Sequence, residues 1–209
     1  MLSSEKLSAY WMALQKPQQE AIAARVKWRN QARPAQLTPK GDWQTWLILA
    51  GRGFGKTRTG AETVRQWAYE PLEAPIHIVA PTASDIRKVM IEGPSGLLAC
   101  YPPGDRPRYE PSKGHMITWR NGNIAYCFSA DEPERLRGPQ CGRYWADELC
   151  AWRFADEAWS NLTFGFRSGD HLQGVITTTP KPTKLMRGLV KDPTAVVSRM
   201  STYENLHNL

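Results

Sequence analysis

Residues 50–57 read Ala-Gly-Arg-Gly-Phe-Gly-Lys-Thr, three glycines directly ahead of a Lys-Thr pair. Such a stretch can wrap a polyphosphate. Glycines let successive backbone N–H groups converge on phosphate oxygens. Lys56 would supply a cation to the β- and γ-phosphates, and the Thr57 hydroxyl a ligand for Mg2+. The residues expected to line the nucleotide are therefore Gly51, Arg52, Gly53, Phe54, Gly55, Lys56, Thr57 and Arg58. The usual pattern opens on Gly, whereas Ala50 opens this one; a tight turn accepts Ala there at negative φ. Arg52 either touches a phosphate or is simply solvated.

Hydrolysis of a nucleotide also needs a carboxylate for the metal and one to orient water. Asp147 and Glu148 form an acidic pair after a short apolar run. Asp147 is expected to hold Mg2+ and Glu148 to activate the attacking water. Upstream, Arg135 and Arg137 are two candidates for the guanidinium that neutralises charge developing on the γ-phosphate. Thr177, Thr178 and Thr179 end another apolar run. They either sense the γ-phosphate at a strand end or fill a strand with β-branched residues. Gln36 either reads an adenine edge or is a plain loop residue.

These groups need a scaffold that brings distant stretches together. Residues 46–50 predict a buried strand, 56–69 a helix with Ala61, Val64, Trp67 and Ala68 on one face, 76–80 a second strand, and 83–92 a second helix capped by Thr82 or Ser84. That alternation means a parallel sheet. Asn121-Gly122 between residues 116–119 and 124–128 predicts a hairpin. Residues 132–137 read as a short polar helix or turn, 144–146 and 175–178 as strands, 183–190 as a helix and 195–198 as a last strand. Ahead of all this, residues 1–31 predict two short helices broken near Pro17. Leu7, Tyr10, Trp11, Leu14, Ile22 and Val26 fall at helical spacing and are expected to pack on the main domain.

Composition narrows the class. The chain has 209 residues, of which 41% are hydrophobic and 22% charged. Those shares suit a globular protein and exclude a disordered one. No apolar run approaches the roughly 18 residues of a membrane span, so no membrane partner is expected. Four cysteines at 100, 127, 141 and 150 lack zinc-finger spacing and read as reduced structural residues. The net charge of +7 is compatible with a nucleic-acid partner without requiring one.

The stretches ARPAQLTPKGDWQTWLILAGRGFGKTRTGAE, IVAPT, ERLRGPQ, WADELCAW and ITTTPKP span residues 32–182. As a set they resemble the ATPase domain of the large terminase subunit of tailed bacteriophages. The resemblance implies an α/β RecA-like P-loop fold of the ASCE type, a mainly parallel central sheet with an antiparallel hairpin added. It implies ATP and Mg2+ as cofactors and hydrolysis that drives double-stranded DNA into a procapsid. It assigns Lys56 and Thr57 to Walker A, Asp147 and Glu148 to Walker B, Thr177–179 to a coupling motif and Gln36 to an adenine motif. Arg137 is favoured as an arginine finger between subunits, with Arg135 as the alternative. Implied partners are portal protein, the small terminase subunit and further copies in a ring on the portal, with a monomer when isolated. The implied location is the host cytoplasm.

The segment 1–31 is then a helical addition packed on an ATPase domain of residues 32–209. The nuclease domain of the family is expected to be absent, because after Glu157 only Asp170, Asp192 and Glu204 could serve a two-metal cluster. Cys141, Gly142 and Arg143 depart from the usual Walker B strand. Residues 106–113 either touch DNA or form a solvated basic loop. Rival readings are another RecA-like translocase or helicase, and a nucleotide-binding assembly module with little activity alone.

Overall fold

The computed structural model describes residues 4–200. The Leu7 side chain and Glu204 lie outside the described residues. Two helices open the chain, α1 (Ser4–Ala13) and α2 (Lys16–Gln31). They are followed by β1 (Thr45–Ala50), α3 (Lys56–Trp67), β2 (Ile76–Ala80), and a single turn α4 (Ala83–Asp85) that widens into a π-helical turn (Ile86–Ile91). Then come β3 (Arg108–Glu110), β4 (Met116–Thr118), β5 (Ile124–Ser129), β6 (Arg143–Asp147), α5 (Ala155–Gly165), β7 (Gln173–Thr178), α6 (Lys184–Lys191) and β8 (Ala195–Met200).

The strands form one eight-stranded sheet in the order β3-β4-β5-β2-β6-β7-β1-β8. Five adjacent pairings from β5 to β8 are parallel, and β3-β4-β5 is the antiparallel addition. Both faces are covered, which is why β1 is apolar from Trp46 to Ala50 and β2 is apolar apart from His77. On one face Trp46, Ile48 and Ala50 pack with Ala61, Val64 and Trp67 of α3. On the other, Leu47 and Leu49 pack with Ala158 and Leu162 of α5 and Met186 and Leu189 of α6. Close approach is enforced by glycine. A Cβ on Gly60 would fall 2.2 Å from the Trp145 indole, so α3 seats directly on β6.

Three expectations need correction. The helix predicted over 83–92 is α-helical for one turn only. Thr82 caps it by accepting from the Asp85 N–H, and the wider π turn then buries Ile86, Met90 and Ile91 together. The N-terminal helix break lies at residues 14–15, and Pro17 sits in the first turn of α2, where its missing N–H is harmless. The packing predicted for Tyr10, Trp11, Ile22 and Val26 is not found, since all four are exposed. Instead α2 rests on the core through buried Trp28, whose ring lies 5.8 Å from the Arg58 guanidinium carbon.

His77 on β2 is fully enclosed against Phe128, with neither ring nitrogen hydrogen-bonded among the described residues. Burial pushes its pKa down from 6.5 to about 4. The unfolded chain therefore binds the proton more readily. Stability from this group is complete above pH 6.5 and is lost as pH falls towards 4, by about 3 kcal/mol in all. Urea titrations across that window should show a flatter acid limb for His77→Leu than for the wild type.

Candidate nucleotide site

β1 ends at Ala50, whose φ is not positive, so the residue that departs from the usual pattern simply closes the strand. The loop turns through Gly53 at φ 78° and Gly55 at φ 88°, left-handed conformations that favour glycine. Gly55 then caps α3, directing the positive end of that helix at the loop. Lys56 is buried, and its Nζ donates to the carbonyls of Ala50 and Gly51 and to Thr179 Oγ1, each at 3.0 Å. The same ammonium pairs with Glu148 Oε1 at 3.2 Å.

Sheet order explains the meeting. β7 lies between β1 and β6, so the threonine run sits between the glycine loop and the acidic pair. Asp147 and Thr177 are cross-strand partners. The Thr177 hydroxyl donates to Asp147 Oδ1 and accepts from Trp145 Nε1 at 3.1 Å. Thr57 Oγ1 lies 3.4 Å from Asp147 Oδ2. Trp152 Nε1 donates to the Asp147 carbonyl at 2.9 Å. Glu148 adopts a left-handed backbone at φ 48°, and its Oε2 accepts from the Thr179 N–H at 3.1 Å. A left-handed non-glycine residue costs about 1 kcal/mol and turns the side chain off the strand line, back towards Lys56.

Comparison with known proteins agrees with this geometry. The family model described as terminase large subunit, T4likevirus-type, N-terminal, matches residues 47–208. The chain belongs to this terminase family. The large terminase ATPase domain of Thermus phage P74-26 superposes with a TM-score of 0.60 at 14% identity, covering 82% of this chain and 81% of that one. The large terminase of a second, thermophilic bacteriophage, in complex with ADP, gives a TM-score of 0.65 at 17% identity over 90% of this chain. The complex of that same terminase with ATP-γ-S gives 0.61 at 16% identity over the same share. The chain spans less than half of that second terminase, 46% of it in the ADP complex. No curated protein sequence matches. The fold is therefore the RecA-like fold of terminase ATPase domains.

Within this terminase domain the structure brings Lys56, Thr57, Asp147 and Glu148 together and separates other expected residues. Arg58 turns away from the loop, because Glu62 one helical turn on binds its guanidinium at 2.7 Å while the Trp28 ring lies beside it. Glu62 also binds buried Arg65 at 2.7 Å, so the carboxylate is held by two cations. Thr178 is enclosed on the opposite side of β7, accepting from the Cys150 N–H at 3.0 Å. Strand alternation turns Thr177 to Asp147 and Thr179 to Lys56 instead. Gln36 is buried and braces the loop. Its Nε2 donates to the Phe54 carbonyl at 2.9 Å and its Oε1 accepts from the Arg33 N–H at 3.0 Å. Arg52 is exposed. Arg135 and Arg137 are exposed on a 3-10 turn (Pro133–Leu136) and its end, each beside a glutamate of its own segment, Glu132 and Glu134.

Sequence reasoning missed Arg33, Trp145 and Trp152. Arg33 donates to the Phe54 carbonyl at 3.3 Å and lies 5.0 Å over its ring. Nothing in their spacing marks these residues; they act through register and loop path.

Burial raises the Asp147 carboxyl to about 6, with Glu148 adding to the rise while Thr177 and Lys56 oppose it. The ordinary value is 3.8, so the folded state holds this proton more tightly than the unfolded chain. Its stabilising share is therefore complete below pH 3.8 and lost as pH rises through 6.

Proposed function

We propose that this chain is the ATP-hydrolysing motor domain of a terminase that drives double-stranded DNA into a procapsid. The observation that carries the reading is the convergence of Lys56, Thr57, Asp147, Glu148 and Thr179 at the ends of three adjacent parallel strands. Buried Asp147 and the Thr57 hydroxyl place two hard oxygens 3.4 Å apart, a donor pair that fits Mg2+. When bound, that ion would neutralise charge on the β- and γ-phosphates.

The chain's own residues supply the rest. The Gly51–Gly55 backbone cradles the phosphates, with Gln36 and Arg33 fixing the loop through the Phe54 carbonyl. Lys56 exchanges its carbonyl, Thr179 and Glu148 contacts for phosphate oxygens. Glu148, released from Lys56, orients the attacking water and takes its proton. Thr179, bonded to both Lys56 and Glu148, registers the exchange.

The exposure of Arg135 and Arg137 supports a finger acting on a neighbouring copy, with Arg137 favoured. Further copies in a ring on the portal, portal protein and the small subunit are the proposed partners, and the host cytoplasm the proposed location. Complementation tests the arrangement. Arg137→Ala and Glu148→Gln proteins, each inactive alone, should recover ATP turnover when mixed, because one copy keeps the base and its neighbour the finger. Full activity of the Arg137→Ala and Arg135→Ala proteins, each on its own, would exclude these residues as fingers.

A further inference from the structure

Beyond Thr179 the chain runs Pro180-Lys181-Pro182 into α6 and returns as the edge strand β8. Met186 and Leu189 anchor α6 on the sheet. Its outer side meets β8 in a groove of about 640 Å3, lined by apolar residues that include Met186, Val190 and Met200 together with the cations Lys181, Arg187, Lys191 and Arg199. The four cations are exposed, and among the described residues no carboxylate lines the groove. Several exposed cations elsewhere are paired: Arg87 with Glu92, Arg108 and Lys113 with Glu110, Arg135 with Glu132. Among the described residues none of the four groove cations has a carboxylate within 4.0 Å.

We infer that this groove grips the phosphate backbone of duplex DNA, an inference that rests on the DNA-packaging reading above. Four like charges gathered without counter-charge attract a polyanion and gain by releasing its condensed counterions. Arg187 and Lys191 stand one helical turn apart, about 6 Å along the axis. That reach spans neighbouring phosphates, which rise about 3.4 Å per nucleotide on one strand. Among the described residues no aromatic side chain lines the groove, so they offer no stacking platform for single-stranded bases. Its contacts are to phosphate and carry no sequence preference.

The position also links grip to nucleotide. Thr179 is bonded to Lys56 and Glu148, and Lys181 follows two residues later between prolines whose φ is fixed. A shift of Thr179 when Lys56 turns to phosphate is thereby passed to Lys181 and the start of α6.

The test is duplex binding by the full chain across a salt series, followed by fluorescence anisotropy. Relative to wild type, a Lys181→Gln/Arg187→Gln/Lys191→Gln protein should show a slope of log affinity against log salt that is less negative by about three. ATP binding should be unchanged, which also confirms folding. A charge-matched Lys16→Gln/Arg25→Gln/Arg29→Gln protein should keep the wild-type slope. A groove variant with the wild-type slope, or an equal loss in both variants, overturns the groove as the DNA contact and leaves the motor reading intact. A wild-type chain that binds no duplex at any salt overturns both.

Discussion

Glu148→Gln protein is expected to bind ATP as well as wild type and to hydrolyse it about 10²–10⁴ times more slowly. The carboxylate is held at two points, by Lys56 at 3.2 Å and the Thr179 N–H at 3.1 Å. Gln keeps an oxygen for the Thr179 N–H, so the left-handed turn and the strand end are preserved. It has no lone pair basic enough to take a proton from water. It also carries no charge for Lys56, which is then freer to meet phosphate, so nucleotide affinity is unchanged or raised. Equilibrium binding of a fluorescent ATP analogue and phosphate release, measured on one preparation, separate the two effects.

Lys56→Ala acts earlier and should remove both binding and turnover. Its ammonium is the only cation among the described residues bonded to the loop carbonyls, Thr179 and Glu148 together. Without it the β- and γ-phosphates face Asp147 and Glu148 with no buried side-chain counter-charge from the loop, where Arg52 is exposed. Losing one such electrostatic donor costs about 10²–10³ in rate. ATP affinity, read by calorimetry, should fall at least as steeply. The fold should survive, because Glu148 is about one-third exposed and water can replace its partner. Arg58→Ala is the contrasting case. Its guanidinium serves Glu62 and Trp28, so it should alter stability while leaving nucleotide affinity near wild type.

Much of this site is legible in the residues themselves. The glycine spacing, the Lys-Thr pair and the apolar run before them announce a strand, a phosphate loop and a helix, and the structure has all three. The acidic pair is equally plain, because a short buried strand precedes it. What stays hidden depends on partners brought together by register. Three consecutive threonines carry no mark of which face meets the nucleotide. Pairing of Thr177 with Asp147 decides it, and alternation then turns Thr178 away. Arg58 adjoins the loop in sequence, yet Glu62 four residues on claims it. Gln36 also braces the loop, with both ends of its amide bonded to Phe54 and Arg33, a role that its place in the sequence does not announce. Helix α5 goes unpredicted because its apolar signal is weak, with Phe154 and Phe164 exposed at its ends.

The most direct test of hydrolysis at this site is the identity of the nucleotide recovered from each protein after incubation with ATP and Mg2+. The account predicts ADP and free phosphate from wild type, intact bound ATP from Glu148→Gln, and no bound nucleotide from Lys56→Ala. Recovery of ADP from Glu148→Gln at the wild-type rate would contradict it.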